Sequence, residues 1–462
     1  MVFSSISFLF IFLVAVTGVY FIVPQRFRGA RNGVLLIFSL LFYFVGEPKY
    51  LILMVVSIIS NYLFAIGIST GKRKRLFLVL SCIFNIGVIG VFKYTDFVIL
   101  NINGIFGTSL PLANIVMPIG ISFFTLQGMS YVFDVYLGNV SVQKNVFTVA
   151  TYIALFPQLV AGPIVRYKTV ENELSDRRET LYDVSEGVIR FVYGLSKKML
   201  IANPLGEAAT EIFSMPQDER TLPLAWFGAV CYALHIFFDF GGYSDMAIGL
   251  GRVFGFRFLE NFNYPYISKS ITEFWRRWHI SLGTWFRDYL YIPLGGNRCK
   301  RLRHIFNILV VWALTGLWHG ASWNFVIWGT YFGVILLVEK FLLSKLLKKL
   351  PAVLSHLYAI TLILIGWVIF NSTDVISIIH YVRSMFDFGS ISSYRVAFLA
   401  DRYKVELIAG ILLSTPVARL GKRFSGKPIY ELLRRVFALA LVVMCIAYVT
   451  GTSFNPFIYF RF

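Results

Sequence analysis

Apolar runs follow one another along almost the whole chain, at about 5–24, 33–46, 49–69, 76–92, 115–137, 146–163, 186–203, 224–250, 305–320, 324–343, 353–371, 405–418 and 436–452. A helix needs about 20 such residues to cross roughly 30 Å of hydrocarbon, so these runs read as transmembrane or re-entrant helices, the one at 33–46 being short. The pattern predicts an all-α polytopic membrane protein with roughly ten to thirteen transmembrane or re-entrant helices. No Lys or Arg precedes the first run, the first charge is Arg26, and no small-residue cleavage site follows. That run therefore reads as a retained helix rather than a signal peptide.

The stretch "EFWRRWHISLGTWFRDYLYIPLGGN", residues 273–297, interrupts this pattern. Ser270 followed by Glu273 has the spacing of a capping box, and Pro293, Gly295 and Gly296 close the segment, which predicts one helix over about 271–291. At the helical period Trp275, Trp278, His279, Leu282 and Phe286 share a stripe, with Arg276, Arg277, Thr284, Arg287 and Asp288 mostly elsewhere. Such a helix is too polar to cross hydrocarbon; it belongs in the interface or along a wet cavity. His279 on the apolar stripe fits a packing role as well as a chemical one, and periodicity leaves both open.

Three further stretches stand out. In "LTGLWHGASWNFVIWG", residues 314–329, His319 would sit about 22 Å along a helix that starts near His304, deep enough for an ionisable side chain to imply function. Gly316 and Gly320 flank it at the spacing of close helix packing. In "LHIFFDFGGYSDMAIGLG", residues 234–251, Gly241 and Gly242 are expected to break the helix between Asp239 and Asp245. His235 and Asp239, four apart on one face, are expected to satisfy each other, and Asp245 suits a cap or a backbone hydrogen bond better than chemistry. "FPQLVAGPIVRY", residues 156–167, predicts a kinked or re-entrant segment.

Composition agrees with the pattern. A chain of 462 residues that is 57% hydrophobic and only 15% charged is too apolar for a soluble enzyme. Its net charge of +19 would suggest nucleic acid in a soluble protein. Here the basic residues cluster in short loops, at Arg26, Arg28 and Arg31, at 72–75, at 298–303, at Lys345, Lys348 and Lys349, and from Arg419 to Arg435, which is the positive-inside pattern of cytoplasmic loops. The topology of 93–250 does not resolve from charge. Cys82, Cys231, Cys299 and Cys445 are scattered with no metal-ligand spacing, so neither a metal site nor a disulfide framework is expected. No repeat or linker divides the chain, which reads as one membrane-embedded unit over 1–462 with its motifs concentrated at about 150–335.

The strings "FPQLVAGPIVRY", "FDFGGYSDMAIGLGRVFGFRFLENFNYPYISKSITEFWRRWHISLGTWFRDYLYIPLGGNR", "LTGLWHGASWNFVIWG" and the terminal "FNPFIYFRF" closely resemble the bacterial membrane-bound O-acyltransferases of the alginate O-acetylation type. The resemblance implies helices around a central funnel open to both sides of the membrane. It implies His319 as the catalytic residue and His279 as the second active-site position. It implies acetyl transfer from cytoplasmic acetyl-CoA, a substrate rather than a bound cofactor, to an extracytoplasmic polysaccharide, by a multi-pass protein of the bacterial inner membrane. A periplasmic or surface-anchored acetyltransferase partner is implied as well. Arg276, Arg277 and Arg287 are the candidates for holding an anionic donor, as guanidinium groups suit phosphate, unless they pair with Glu273 or Asp288. Trp318, Asn324 and Asp245 are further candidate substrate contacts. For the chemistry, His319 would act as base while His279 or a nearby hydrogen-bond donor orients the thioester. Related readings are a peptidoglycan or other cell-wall glycan O-acetyltransferase and a D-alanyl-transferring relative. A transporter or lipid-linked sugar flippase would also use broken helices and mid-membrane ionisable groups.

Overall fold

The computed structural model describes residues 3–160 and 162–451. Among them every regular element is a helix and none is a strand. The terminal string "FNPFIYFRF" lies outside the described residues. Seven helices are long and apolar enough to cross a membrane: Arg28–Gly46, Pro48–Ser69, Lys74–Phe106, Leu222–Val253, Trp323–Lys349, Ala352–Asn371 and Pro428–Gly451. Ser7–Ile22 and Val375–Met385 are shorter apolar helices. The all-α polytopic architecture expected from the apolar runs is therefore present. Several of those runs fold into short helices instead of full spans. The run at 146–163, for example, is cut at Leu155, which leaves the helical region (φ −54°, ψ 113°) just before the turn Phe156–Leu159.

The chain divides into two compact units, Met1–Phe191 with Met246–Leu259, and Val192–Asp245 with Glu260–Phe462. In the first, Asn61 and Asn85 exchange side-chain hydrogen bonds at 3.1 and 2.9 Å, while each amide also donates to a backbone oxygen of its own helix, Ser57 O and Ser81 O. Both residues are fully buried, and in an apolar surrounding such a pair joins two helices by satisfying each partner's polar atoms.

The same unit buries a carboxylate among three guanidinium groups. Glu179 accepts from Arg28 at 2.6 Å, Arg31 at 2.7 Å and Tyr20 at 2.5 Å, and Arg177 lies 3.5 Å away. The remaining guanidinium N–H groups turn to carbonyls, Arg31 Nε to Val23 O and Arg177 Nε to Phe254 O, so the cluster is internally satisfied. Burial raises the pKa of the Glu179 carboxyl, but its hydrogen bonds from Tyr20 and Arg28 and the charges of Arg28 and Arg31 outweigh that and hold it below the ordinary value. Two of the arginines expected to report only topology thus also pin the start of Arg28–Gly46.

In the second unit the expectation of a break at Gly241 and Gly242 is not met: Leu222–Val253 is one continuous helix. Gly242 serves packing instead. A Cβ on Gly242 would approach Gly194 O to 2.7 Å and Lys198 N to 3.2 Å, so its absence lets two backbones touch. This contact offsets the cost of about 1 kcal/mol for a glycine inside a helix. The expected pairing of His235 with Asp239 gives way to separate partners. Asp239 forms a buried ion pair with Lys198 at 2.6 Å, and His235 Nδ1 lies 2.7 Å from Ala202 O. Asp245 pairs with Lys197 at 2.6 Å.

Replacing Glu179 by Ala would leave three guanidinium groups facing one another with no carboxylate. The expected loss is roughly 3–5 kcal/mol, read as a lower thermal midpoint in detergent; an unchanged midpoint would show that the cluster adds no stability. Because the folded-state pKa is depressed, this contribution is present above the unfolded value of about 4.3 and fades as pH falls below it.

Candidate functional site

The segment expected to form one helix over 271–291 is broken in the middle. Ile271–Arg277 and Ile280–Phe286 are separate α-helices, followed by a π-helical turn, Arg287–Tyr291. Between them Trp278 is extended and His279 adopts the left-handed conformation, φ 45° and ψ 53°. A non-glycine residue in that region stores of order 1–3 kcal/mol and persists only where its surroundings impose it. The surroundings here are the backbone of residues 261–263, which takes up the hydrogen bonds that the break sets free. Asn263 N donates to Arg277 O and Ile280 N donates to Asn261 O, both at 2.9 Å. The periodicity of 271–291 cannot carry this information, because the partner segment lies ten or more residues upstream.

The start of the segment is fixed twice. Ser270 Oγ accepts from Glu273 N at 3.0 Å, as the capping spacing predicts, although Glu273 reaches back to Lys269 N rather than to Ser270 N. Glu339, buried on the helix Trp323–Lys349, supplies the second cap. Its carboxylate accepts from Ile271 N at 2.6 Å, Thr272 N at 2.8 Å and Thr272 Oγ1 at 2.6 Å. A carboxylate on the first N–H groups of a helix satisfies orphan donors and complements the helix dipole. Sequence reasoning missed Glu339, and its signal was a lone acid inside an apolar run.

His319 ends the helix Arg301–His319, and Trp323–Val338 begins four residues later. The two helices form a hairpin at backbone contact. A Cβ on Gly316 would collide with Phe325 O, and one on Gly329 with Trp312 O. The hairpin seats the His319 ring edge-on against Trp328 and Phe370, with centroids 5.0 and 5.1 Å away. The close packing at Gly316 and the placement of His319 are thus two aspects of one arrangement.

His279 and His319 line one cavity of about 940 Å³. Both are buried, at 3% and 6% exposure, among Trp275, Trp278, Trp312 and Phe286 of the wall. Five exposed cations, Lys269, Arg276, Arg287, Lys340 and Lys348, line it too, whereas the carboxylate of Glu339 in the wall is occupied by the helix start. The cavity therefore combines an aromatic interior with a cationic periphery. Trp275 contributes an indole N–H that is buried and makes no hydrogen bond among the described residues. Burial pushes the imidazole of His279, which lies outside the membrane-spanning helices, down to about 3, so the ring is neutral.

The other candidates are distributed unevenly. Arg276 and Arg287 line the cavity, and Arg287 also pairs with Asp288 at 2.7 Å. Arg277 is held by Glu273 at 2.8 Å and by Asn263 O at 3.0 Å. Trp318 packs its ring against both histidines, 6.0 Å from His279 and 5.0 Å from His319. Asn324 donates to Phe370 O at 3.2 Å and accepts from Ser322, which ties the hairpin loop to Ala352–Asn371. Asp245 has Lys197 as its partner.

Comparison with known proteins identifies the family. The family model for membrane-bound O-acyltransferases matches residues 139–352, which include the cavity. A probable alginate O-acetylase of Azotobacter vinelandii is 38% identical with full coverage of both chains. One from Pseudomonas aeruginosa is 41% identical over 84% of this chain and 76% of its own. A peptidoglycan O-acetyltransferase of Helicobacter pylori is 34% identical over 85% and 81%. The chain belongs to the membrane-bound O-acyltransferase family. It is a multi-pass membrane enzyme that transfers an acyl group to oxygen.

Removing the carboxylate with Glu339→Ala strips the acceptors from Ile271 N and Thr272 N, at a cost of roughly 1–3 kcal/mol. In nanodiscs, amide exchange over 270–277 is expected to rise about tenfold or more, with Ala352–Asn371 unchanged. Equal exchange in both proteins would remove Glu339 as the anchor.

Proposed function

We propose that this protein moves acetyl groups from cytoplasmic acetyl-CoA to an extracytoplasmic polysaccharide of the alginate type. The observation that carries this reading is the convergence of His279 and His319 on one cavity bordered by five cations. A phosphate-bearing thioester has the complementary form, with charge at one end and a small apolar acyl group at the other. The two alginate O-acetylases above are 38% and 41% identical, against 34% for the peptidoglycan O-acetyltransferase, which favours that glycan.

In this mechanism His319 takes the proton of the acceptor hydroxyl as its oxygen attacks the thioester carbonyl. The indole N–H of Trp275 is the available donor for the oxyanion of the tetrahedral intermediate. Collapse breaks the carbon–sulfur bond, the acetyl ester forms, and His319 gives the proton to the departing sulfur, so that CoA leaves as the thiol and the imidazole is neutral again. Arg276, Arg287 and the neighbouring lysines bind the phosphates of the donor. Arg277 and Asp245 keep their partners in the fold, and Trp318 and Asn324 support the histidines from behind. No cofactor is required, since acetyl-CoA is consumed. The enzyme sits in the bacterial inner membrane and hands the acetyl group to a periplasmic or surface-anchored partner that completes transfer to the glycan.

Labelled acetyl-CoA turnover by the purified protein in nanodiscs, with partner and glycans added in turn, tests this reading. His319→Ala is expected to lower kcat by roughly 10²–10⁴-fold while the protein stays folded. Arg276→Gln should raise KM for the donor, with kcat less affected. Persistence of full turnover in His319→Ala would overturn the assignment of the base. Absence of turnover by the wild-type protein with acetyl-CoA but activity with another acyl donor would replace the donor.

A further inference from the structure

A neutral imidazole carries one N–H, and its position decides whether the ring gives or receives a hydrogen bond at each nitrogen. At His279 that position follows from Ser281. The backbone N–H of Ser281 donates to Asn261 Oδ1 at 3.1 Å, and the Ser281 hydroxyl donates to the same atom at 2.9 Å. A backbone N–H cannot bond to an amide NH2, so the atom facing it is the carbonyl oxygen of Asn261, which only accepts. His279 Nδ1 lies 3.2 Å from that oxygen and 3.5 Å from the Ser281 hydroxyl, whose single proton goes to the closer Asn261 Oδ1. The proton is therefore on Nδ1, and Nε2 carries a lone pair.

His279 Nε2 is buried and has no hydrogen-bond partner among the described residues. An unsatisfied buried acceptor costs roughly 1–3 kcal/mol, and it sits on a residue that also bears left-handed backbone strain. Phe240 and Trp318, the aromatic rings against the imidazole, are 4.6 and 6.0 Å away between centroids and hold its plane. His279 is a cavity-lining residue whose buried Nε2 has no hydrogen-bond partner among the described residues, an acceptor that a donor arriving with the substrate would satisfy.

We propose that Asn261 is a positioning residue that fixes His279 as the Nδ1–H tautomer, so that His279 takes a hydrogen bond from an N–H or O–H of the bound substrate. In this tautomer His279 does not donate to the acyl oxygen, so the expectation that it steadies the thioester as a donor is reversed. That task falls to another group, such as the indole of Trp275. The inference rests on the acyl-transfer reading only for the identity of the substrate; the tautomer stands on the hydrogen bonds alone.

The test is 15N NMR of histidine-labelled protein in nanodiscs, with the His279 signals assigned by their loss in His279→Asn, a residue that tolerates the left-handed conformation. The wild-type protein should show a protonated Nδ1 and an unprotonated Nε2. Asn261→Ala should give a tautomer mixture, and Asn261→Asp, which keeps an acceptor in place, should restore Nδ1–H. A protonated Nε2 in the wild-type protein, or an unaltered tautomer in Asn261→Ala, would overturn the proposal whether or not acetyl-CoA is turned over. Where turnover is measured, Asn261→Ala should lower kcat about 10²-fold with KM little changed, and Asn261→Asp should recover part of that loss. Equal loss in both variants, with no difference in tautomer, would reduce Asn261 to a structural residue.

Discussion

A helix broken inside a membrane protein exposes backbone N–H and C=O groups that lipid cannot satisfy. The rest of the site depends on how that requirement is met at His279. The backbone of 261–263 receives the loose ends, at Asn263 N to Arg277 O and Ile280 N to Asn261 O. Once those two bonds are made, the chain can turn sharply between Trp278 and Ile280. The turn aims a histidine in a direction that no residue of a regular helix could share with its neighbours. Glu339 performs the companion task at the other end of Ile271–Arg277, where its carboxylate receives the first N–H groups. The break and the cap together hold a polar, arginine-bearing segment against the apolar helix Trp323–Lys349.

Charge is allocated with the same economy. Arg277 is committed to Glu273 and Asn263. Arg28, Arg31 and Arg177 are committed to Glu179 and nearby carbonyls. Arg276, by contrast, borders the cavity with no carboxylate partner among the described residues, and so does much of the lysine set around it. The cations used for structure and those that border the cavity are therefore largely separate groups, Arg287 with its Asp288 partner belonging to both, although the sequence intermingles them.

Much of this was legible in the chain. Apolar runs gave the all-α polytopic class, Ser270 was a readable helix start, and His319, singled out in its apolar run, lines the cavity together with His279. The features that were not legible share one cause, which is dependence on distant partners. The stripe Trp275, Trp278, His279, Leu282 and Phe286 has good helical period, and only the neighbouring 261–263 segment overrides it. Gly241 and Gly242 look like breakers until the close approach of Gly194 is known. Glu339 looked like an isolated acid in an apolar helix until the helix start it caps was in view.

The glycine contact beside His319 has a consequence for how the chain is indexed. Gly316 and Gly329 meet where neither backbone leaves room for a side chain. A slip of one residue in either helix, a rise of 1.5 Å, would bring a side-chain-bearing neighbour such as Thr315 or Leu317 into that gap. The hairpin consequently has one permitted register and acts as a vernier. It sets the position of His319 against Trp323–Val338 to within a single residue step.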